Sequence, residues 1–137
     1  YPLRRQRQMC IRDSLTEVAS AYLAAIQLSR PDITLAHRAL ADAARGHTLP
    51  AQELFPDSDF LDSYLATHPA PAAVDAAMPR VIPRNMAVEA ALRAAEAGDI
   101  KPFTELLHAV THPWQPHPSY EQPDPNGLAG FLTYCGT

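Results

Sequence analysis

Fourteen prolines in 137 residues decide where helices can run, because proline lacks a backbone N–H and clashes with the turn before it. Between them the apolar residues recur at helical rather than strand spacing. Leu15, Val18, Tyr22, Leu23 and Ile26 share one helical face, and Pro31 ends that helix. Asp32 is placed to cap a second helix carrying Ile33, Ala36, Leu40 and Ala44, which stops at Gly46. A polar turn through Pro50 and Pro56 leads to Asp57 and a short helix with Phe60, Leu61, Tyr64 and Leu65. The stretch HPAPAAVDAAMP reads as loop or a ragged single turn. Asn85 is a good N-cap for the clearest helix, which shows Val88, Ala91, Leu92 and Ala95 at i, i+3, i+4, i+7 and closes at Gly98. Asp99 caps the next, with Phe103, Leu106, Leu107 and Val110, and Pro102 is tolerable in its first turn. Five prolines between Pro113 and Pro125 then predict an extended tail without a core of its own.

The chain is 47% hydrophobic but only 7% aromatic, and alanine dominates the apolar share. Such helices offer broad, closely packing faces and few large side chains. They read as the outer helices of a bigger domain whose main core lies elsewhere. The formal charge of −4 argues against a general affinity for nucleic acid. No apolar run approaches the roughly 18 to 20 residues that span a bilayer. Two cysteines, Cys10 and Cys135, do not make a disulfide scaffold, so a reducing compartment is the default.

The opening stretch RRQRQMCIRDS, residues 4–14, stands apart with four of the eleven basic residues. As protein it reads as a basic arm or an Arg-rich transit peptide, whereas Glu17 and Gln27 exclude a secretory signal. As DNA it resembles a sequencing-library adapter with its transposon end, translated in frame, with Tyr1, Pro2 and Leu3 as the barcode. On that reading residues 1–14 are not native. Removing four Arg and Asp13 takes the net charge from −4 to −7 and leaves Cys135 as the only native cysteine. The S-x-x-E capping box of Ser14 and Glu17 is then a coincidence of the junction.

Candidate chemistry is sparse. His108 and His112 stand at i, i+4, a spacing that puts two imidazoles on one helix face, with His117 near in sequence. Pro113 breaks the helix there, no H-E-x-x-H is formed, and the residues read as solvent-exposed histidines rather than a metal site. Asp57, Asp59 and Asp62 look like a carboxylate cluster, but Asp57 and Asp59 flank a helix start, where negative charge is favoured, so capping is the expected role. No Gly-rich phosphate loop and no G-x-S-x-G, H-R-D or D-F-G string occurs. PRVIPRN places Arg80 and Arg84 on a rigid approach to a helix, as a hinge pairing with carboxylates or carbonyls, or as a ligand contact. Cys135 reads either as an ordinary exposed thiol or as a redox group.

The ordered set VIPRNMAVEAALRAAEAGDIKPFTELLHAVTHPW, a Pro-rich link and the terminal FLTYCGT resembles the C-terminal end of the selenoprotein O family, kinase-like protein adenylyltransferases. Upstream, DITLAHRAL (Asp32, Thr34, Arg38, Leu40) and FLDSYL (Phe60, Tyr64) look like helices of the same family. The resemblance covers Leu15 to Thr137. It implies a mainly α fragment: outer C-lobe helices of a protein-kinase-like fold over residues 15–112, then an extended Pro-rich tail over 113–137. It implies a parent that transfers AMP from ATP, with Mg or Mn, to hydroxyl groups of protein substrates. No catalytic, cofactor or metal residue is expected in this piece, and none of ATP or metal is expected to bind it. Cys135 takes the position of a selenocysteine in eukaryotic members, which favours the redox reading and a partner cysteine in the missing core. A bacterial member would be cytoplasmic and a eukaryotic one mitochondrial. Met86 stands where many members have histidine, so no role resting on that imidazole carries over. The competing expectation is a free-standing helical protein-interaction module without catalysis.

Overall fold

The computed structural model describes residues 2–56 and 59–127, with side chains from Ser14 onward, and among these the fold is mainly α without a strand. The chain divides into two compact units, Tyr1–Ala77 and Met78–Thr137. The first holds α1 (Pro2–Ser29), α2 (Ile33–Ala44), α3 (Leu49–Leu54), α4 (Phe60–Ala66) and α5 (Pro71–Ala77). The second holds α6 (Asn85–Glu96), α7 (Lys101–Thr111) and α8 (Pro118–Glu121). Among the described residues no helix is long and apolar enough to cross a membrane.

Local chemistry sets the helix ends of the first unit. Arg30 takes a left-handed φ of 47° ahead of Pro31, and His68 one of 51° ahead of Pro69. Both helices stop where the coming proline disfavours a further α residue. Asp32 caps α2 as its position predicts, its carboxylate accepting from the Leu35 N–H at 3.0 Å. At the other end Gly46, at φ 97°, donates to Ala43 O while His47 donates to Asp42 O, both at 2.9 Å. This paired closure satisfies two carbonyls that α2 would otherwise leave open. Ser14 lies inside the continuous α1, so the S-x-x-E string caps nothing.

Two stretches expected as turn or loop are helical. Pro50 lies in the first turn of α3, and Pro71 is the first residue of α5. A helix's first N–H groups have no intrahelical partner, so proline there loses nothing and brings a helical φ. Reading these prolines only as breakers therefore missed both elements.

The first unit packs around alanines of α2 and a ring cluster. Ala36, Ala39, Leu40 and Ala43 are buried together with Ala25, Ala51, Phe55, Phe60 and Leu61. Phe60 lies 5.3 Å from both Phe55 and Tyr22, the Phe55 contact being edge-to-face at 71°. The Tyr64 hydroxyl donates to Leu40 O at 3.2 Å, tying α4 to α2. On the rim, Arg45 pairs with Asp42 and with Asp75 of α5. Val18, Tyr22 and Ile26 face this core as their spacing predicts, but Leu15, Leu23 and Ile33 are exposed.

Tyr22 and His37 add a polar link between α1 and α2. Their hydroxyl and Nε2 share a hydrogen bond, and the rings lie 5.6 Å apart. Burial pushes the Tyr22 phenol above, and the His37 imidazole below, its ordinary value.

In the second unit α6 and α7 form a helical hairpin. Arg84, not Asn85, takes the N-cap position of α6, and Asn85 is its first residue. Gly98, at φ 94°, donates to Ala95 O at 3.0 Å and Asp99 to Ala94 O at 2.9 Å, the same closure as at α2. Ile100, not Asp99, takes the N-cap position of α7, and the Asp99 carboxylate accepts from the Lys101 N–H at 3.1 Å just ahead of it. Among the described residues of this unit only Val81, Ala91, Leu106, Ala109 and Glu121 are buried, while Leu92, Phe103 and Leu107 remain exposed.

Phe60→Ala removes the ring that touches Tyr22, Phe55 and Tyr64, and should cost about 3–5 kcal/mol in urea unfolding of the first unit. Acid should weaken the α1–α2 link. Above the unfolded-state value near 6.5, His37 is neutral in both states and contributes no pH dependence. As pH falls through 6.5 toward its lower folded value, the unfolded chain binds the extra proton and stability drops. Urea midpoints at pH 7 and 5 measure this, and the His37→Gln variant should show a smaller drop.

Candidate functional site

The polar chemistry of the second unit gathers where the Pro-rich segment meets the approach to α6. Pro113 offers its carbonyl to the N–H groups of Arg80, at 2.8 Å, and Val81, at 3.2 Å. The four-residue helical turn α8, Pro118–Glu121, then brings Glu121 back to this segment. Its side chain is only 7% exposed and accepts from Arg80 Nε at 3.3 Å and from the His117 N–H at 2.9 Å. Its backbone carbonyl accepts from Arg84 at 3.3 Å. A buried carboxylate is tolerable only with such donors, and here a guanidinium and a backbone amide supply them.

This corrects the expected extended tail. Residues 113–121 include the helical turn α8 and are fastened to Arg80, Val81 and Arg84. Five prolines limit the backbone's freedom but do not prevent docking when one carboxylate and one carbonyl face two arginines. Of the two roles open to Arg80 and Arg84, pairing with a carboxylate and a carbonyl is the one found. Glu121 was not singled out in the sequence. The signal was available in hindsight: an acid in a Pro-rich run, with two unassigned arginines upstream.

Beside this clamp lies an open cleft of about 570 Å³ lined by Thr104, Glu105, His108, His117, Ser119 and Tyr120. His108 and His112 stack with centroids 4.5 Å apart, and His117 meets His108 edge-on at 5.5 Å. The three histidines thus converge, although His117 is separated from the helix by Pro113 and Pro116. His108 and His112 are exposed, as expected. Among the described residues no group of three or more His, Cys, Asp or Glu is arranged to hold a metal ion.

The remaining candidates do not assemble into a site. Asp59 occupies the N-cap position of α4 without a side-chain cap bond, its carbonyl instead accepting from Ser63. Asp62 lies in the first turn of α4, where its charge suits the helix dipole. The expected capping by the Asp59 side chain is therefore not found, although Asp59 does hold the N-cap position. Asp57, Cys135 and the terminal FLTYCGT lie outside the described residues, as does the side chain of Cys10. The Tyr22–His37 pair was also missed, because two polar residues on separate helices carry no spacing signal.

Comparison with known proteins identifies relatives over most of this length. A protein nucleotidyltransferase YdiU of Mycobacterium sp. (strain KMS) is 44% identical over 119 residues, covering 82% of this chain and 25% of the relative. Proteins of the same name from Mycolicibacterium paratuberculosis and Agrobacterium fabrum are 39% and 31% identical, covering 84% and 88% of this chain and 26% and 28% of their own lengths. No family model matches, and no solved structure matches. The chain is a homologue of these selenoprotein O family proteins, and it spans about a quarter of the length of the curated relatives it matches.

Glu121→Ala should cost about 1.5–3 kcal/mol locally, since it strips a charge-assisted partner from Arg80 and the cap from His117. Amide hydrogen exchange at Arg80 and Val81 should rise at least tenfold, with the amides of α6 little changed.

Proposed function

We propose that this chain is the C-terminal portion of an enzyme that transfers AMP from ATP to hydroxyl side chains of proteins. The observation that carries the reading is its 31–44% identity, over most of its length, to proteins named protein nucleotidyltransferase. Two features of the molecule support it. The exposed Leu92, Phe103 and Leu107 leave the α6–α7 hairpin with apolar surface to bury against further chain. The relatives are about four times as long as their matched part, which supplies such chain.

The described residues do not fit ATP or its metal. They hold no group of three or more His, Cys, Asp or Glu arranged for a metal ion, the sequence has no glycine-rich phosphate loop, and Arg80 and Arg84 are engaged with Glu121. ATP and Mg or Mn are therefore assigned to the rest of the parent, as is catalysis. The protein substrates are the parent's too. Residues 1–14 are adapter-derived, the helical part of the kinase-like domain runs over 15–112, and the segment from 113 ends in Cys135, Gly136 and Thr137. Cys135 is a redox thiol that pairs with a cysteine of the parent's core. A bacterial parent works in the cytoplasm and a eukaryotic one in mitochondria.

The source gene, amplified and sequenced across the junction at Leu15, should show an upstream frame encoding a kinase-like core. The expressed parent should label protein substrates from ATP carrying a radioactive α-phosphate, while this chain alone should retain no ATP at millimolar concentration. ATP bound tightly by the chain alone would sink the assignment. Finding RRQRQMCIRDS in the genome would return the arginine arm and Cys10 as native features.

A further inference from the structure

We propose that Asn126 is a site of self-modification, at which the backbone nitrogen of Gly127 closes on the Asn126 side chain and converts it to aspartate and isoaspartate. The site is independent of the AMP-transfer reading.

Three observations single out this residue. The first is its neighbour. Gly127 has no side chain, and a Cβ built on it would meet nothing within 4 Å, so ring closure through its nitrogen is unhindered. The other asparagine of the chain, Asn85, is instead followed by Met86 and lies within the helical backbone of α6.

The second is exposure. Asn126 is exposed, and its side-chain amide has no hydrogen-bond partner among the described residues. Its Cγ is therefore open to attack, and the departing ammonia passes directly to water.

The third is the turn that holds the two reacting residues. Asp124, Pro125 and Gly127 occupy the first, second and fourth positions where a type I turn favours these residue types. The Asn126 N–H donates to the Asp124 carboxylate at 2.8 Å, and the Gly127 N–H donates to the Asp124 carbonyl at 2.9 Å. While the turn is closed the nucleophilic nitrogen is engaged with Asp124, so reaction proceeds from the open turn. A solvent-exposed turn of this kind opens locally at little cost.

In the open turn hydroxide takes the Gly127 amide proton and the nitrogen attacks Asn126 Cγ. The new N–Cγ bond closes a cyclic imide, the Cγ–Nδ2 bond breaks, and Nδ2 takes a proton from water and leaves as ammonia. Water then opens the imide. Attack at Cγ gives aspartate, and attack at the backbone carbonyl carbon gives isoaspartate, whose main chain runs through Cβ and Cγ. No electrons are gained or lost. Either product places a carboxylate two residues from Asp124, where like charges repel. The isoaspartyl form also adds one carbon to the main chain ahead of FLTYCGT.

The test incubates the full 137-residue chain at mildly alkaline pH, digests it in mild acid, and resolves the peptides by chromatography and mass spectrometry. Conversion at Asn126 should exceed that at Asn85 severalfold and rise in proportion to hydroxide. Isoaspartate should be among the products, with an equal amount of ammonia released. Gly127→Ala should lose most of the conversion, because the added methyl group hinders ring closure. Asp124→Ala should speed it, because it removes the carboxylate that restrains the turn. Equal conversion at the two asparagines would overturn the site, as would aspartate without isoaspartate or an unchanged rate in Gly127→Ala. A slower reaction in Asp124→Ala would overturn the restraint by the turn.

Discussion

The first unit depends on how closely its helices can approach α2. The buried positions of that helix are Thr34, Ala36, Ala39, Leu40, Ala41 and Ala43, which spread over more than one side of it. Methyl-sized side chains let α3 and α5 pack against it without displacing one another. Alanine contributes little apolar area per contact, so the larger rings supply much of the burial. Phe55 and Phe60, with the half-buried Tyr22, fill the space left by the small residues, a buried Phe ring being worth on the order of 1.5–3 kcal/mol. The division of labour has a consequence for composition: a chain with so few aromatics must place them together.

The second unit meets a different constraint. Its α6–α7 hairpin buries few large side chains, and its irregular flanks are joined through hydrogen bonds to buried or half-buried groups. Glu121 holds Arg80 and the turn at His117 with its carboxylate, and Arg84 with its carbonyl. A polar junction of this kind fixes the path of the Pro-rich segment without needing an apolar core. It also leaves the outer face of the hairpin apolar and exposed, which fits a homologue of proteins about four times as long as the matched stretch.

The prolines illustrate how one residue type gives opposite signals. Pro31 and Pro69 follow helix ends, and at Pro31 the sequence reading is sound. Pro50, Pro71, Pro102 and Pro118 sit in first turns, where a missing N–H is harmless. Of these the sequence places only Pro102 in a first turn, as a tolerable residue, because a strong apolar period follows it. The segments after Pro50 and Pro71 are too short and too alanine-rich to show a period, so their helices were not legible.

Local features were determined by the sequence itself: the cap at Asp32, the closures at Gly46 and Gly98, the helical period of α2, α6 and α7, and the lack of a phosphate loop. Each depends on residues within one or two turns, so spacing alone expresses it. Which side of each helix is buried was decided only by tertiary structure. Leu23 and Leu107 lie on the predicted faces yet remain exposed, because period identifies an apolar stripe but not a partner to cover it. The same holds for the polar contacts. Glu121 with Arg80, Tyr22 with His37 and His117 with His108 are separated by 41, 15 and 9 residues, and only the folded path of the chain brings each pair together.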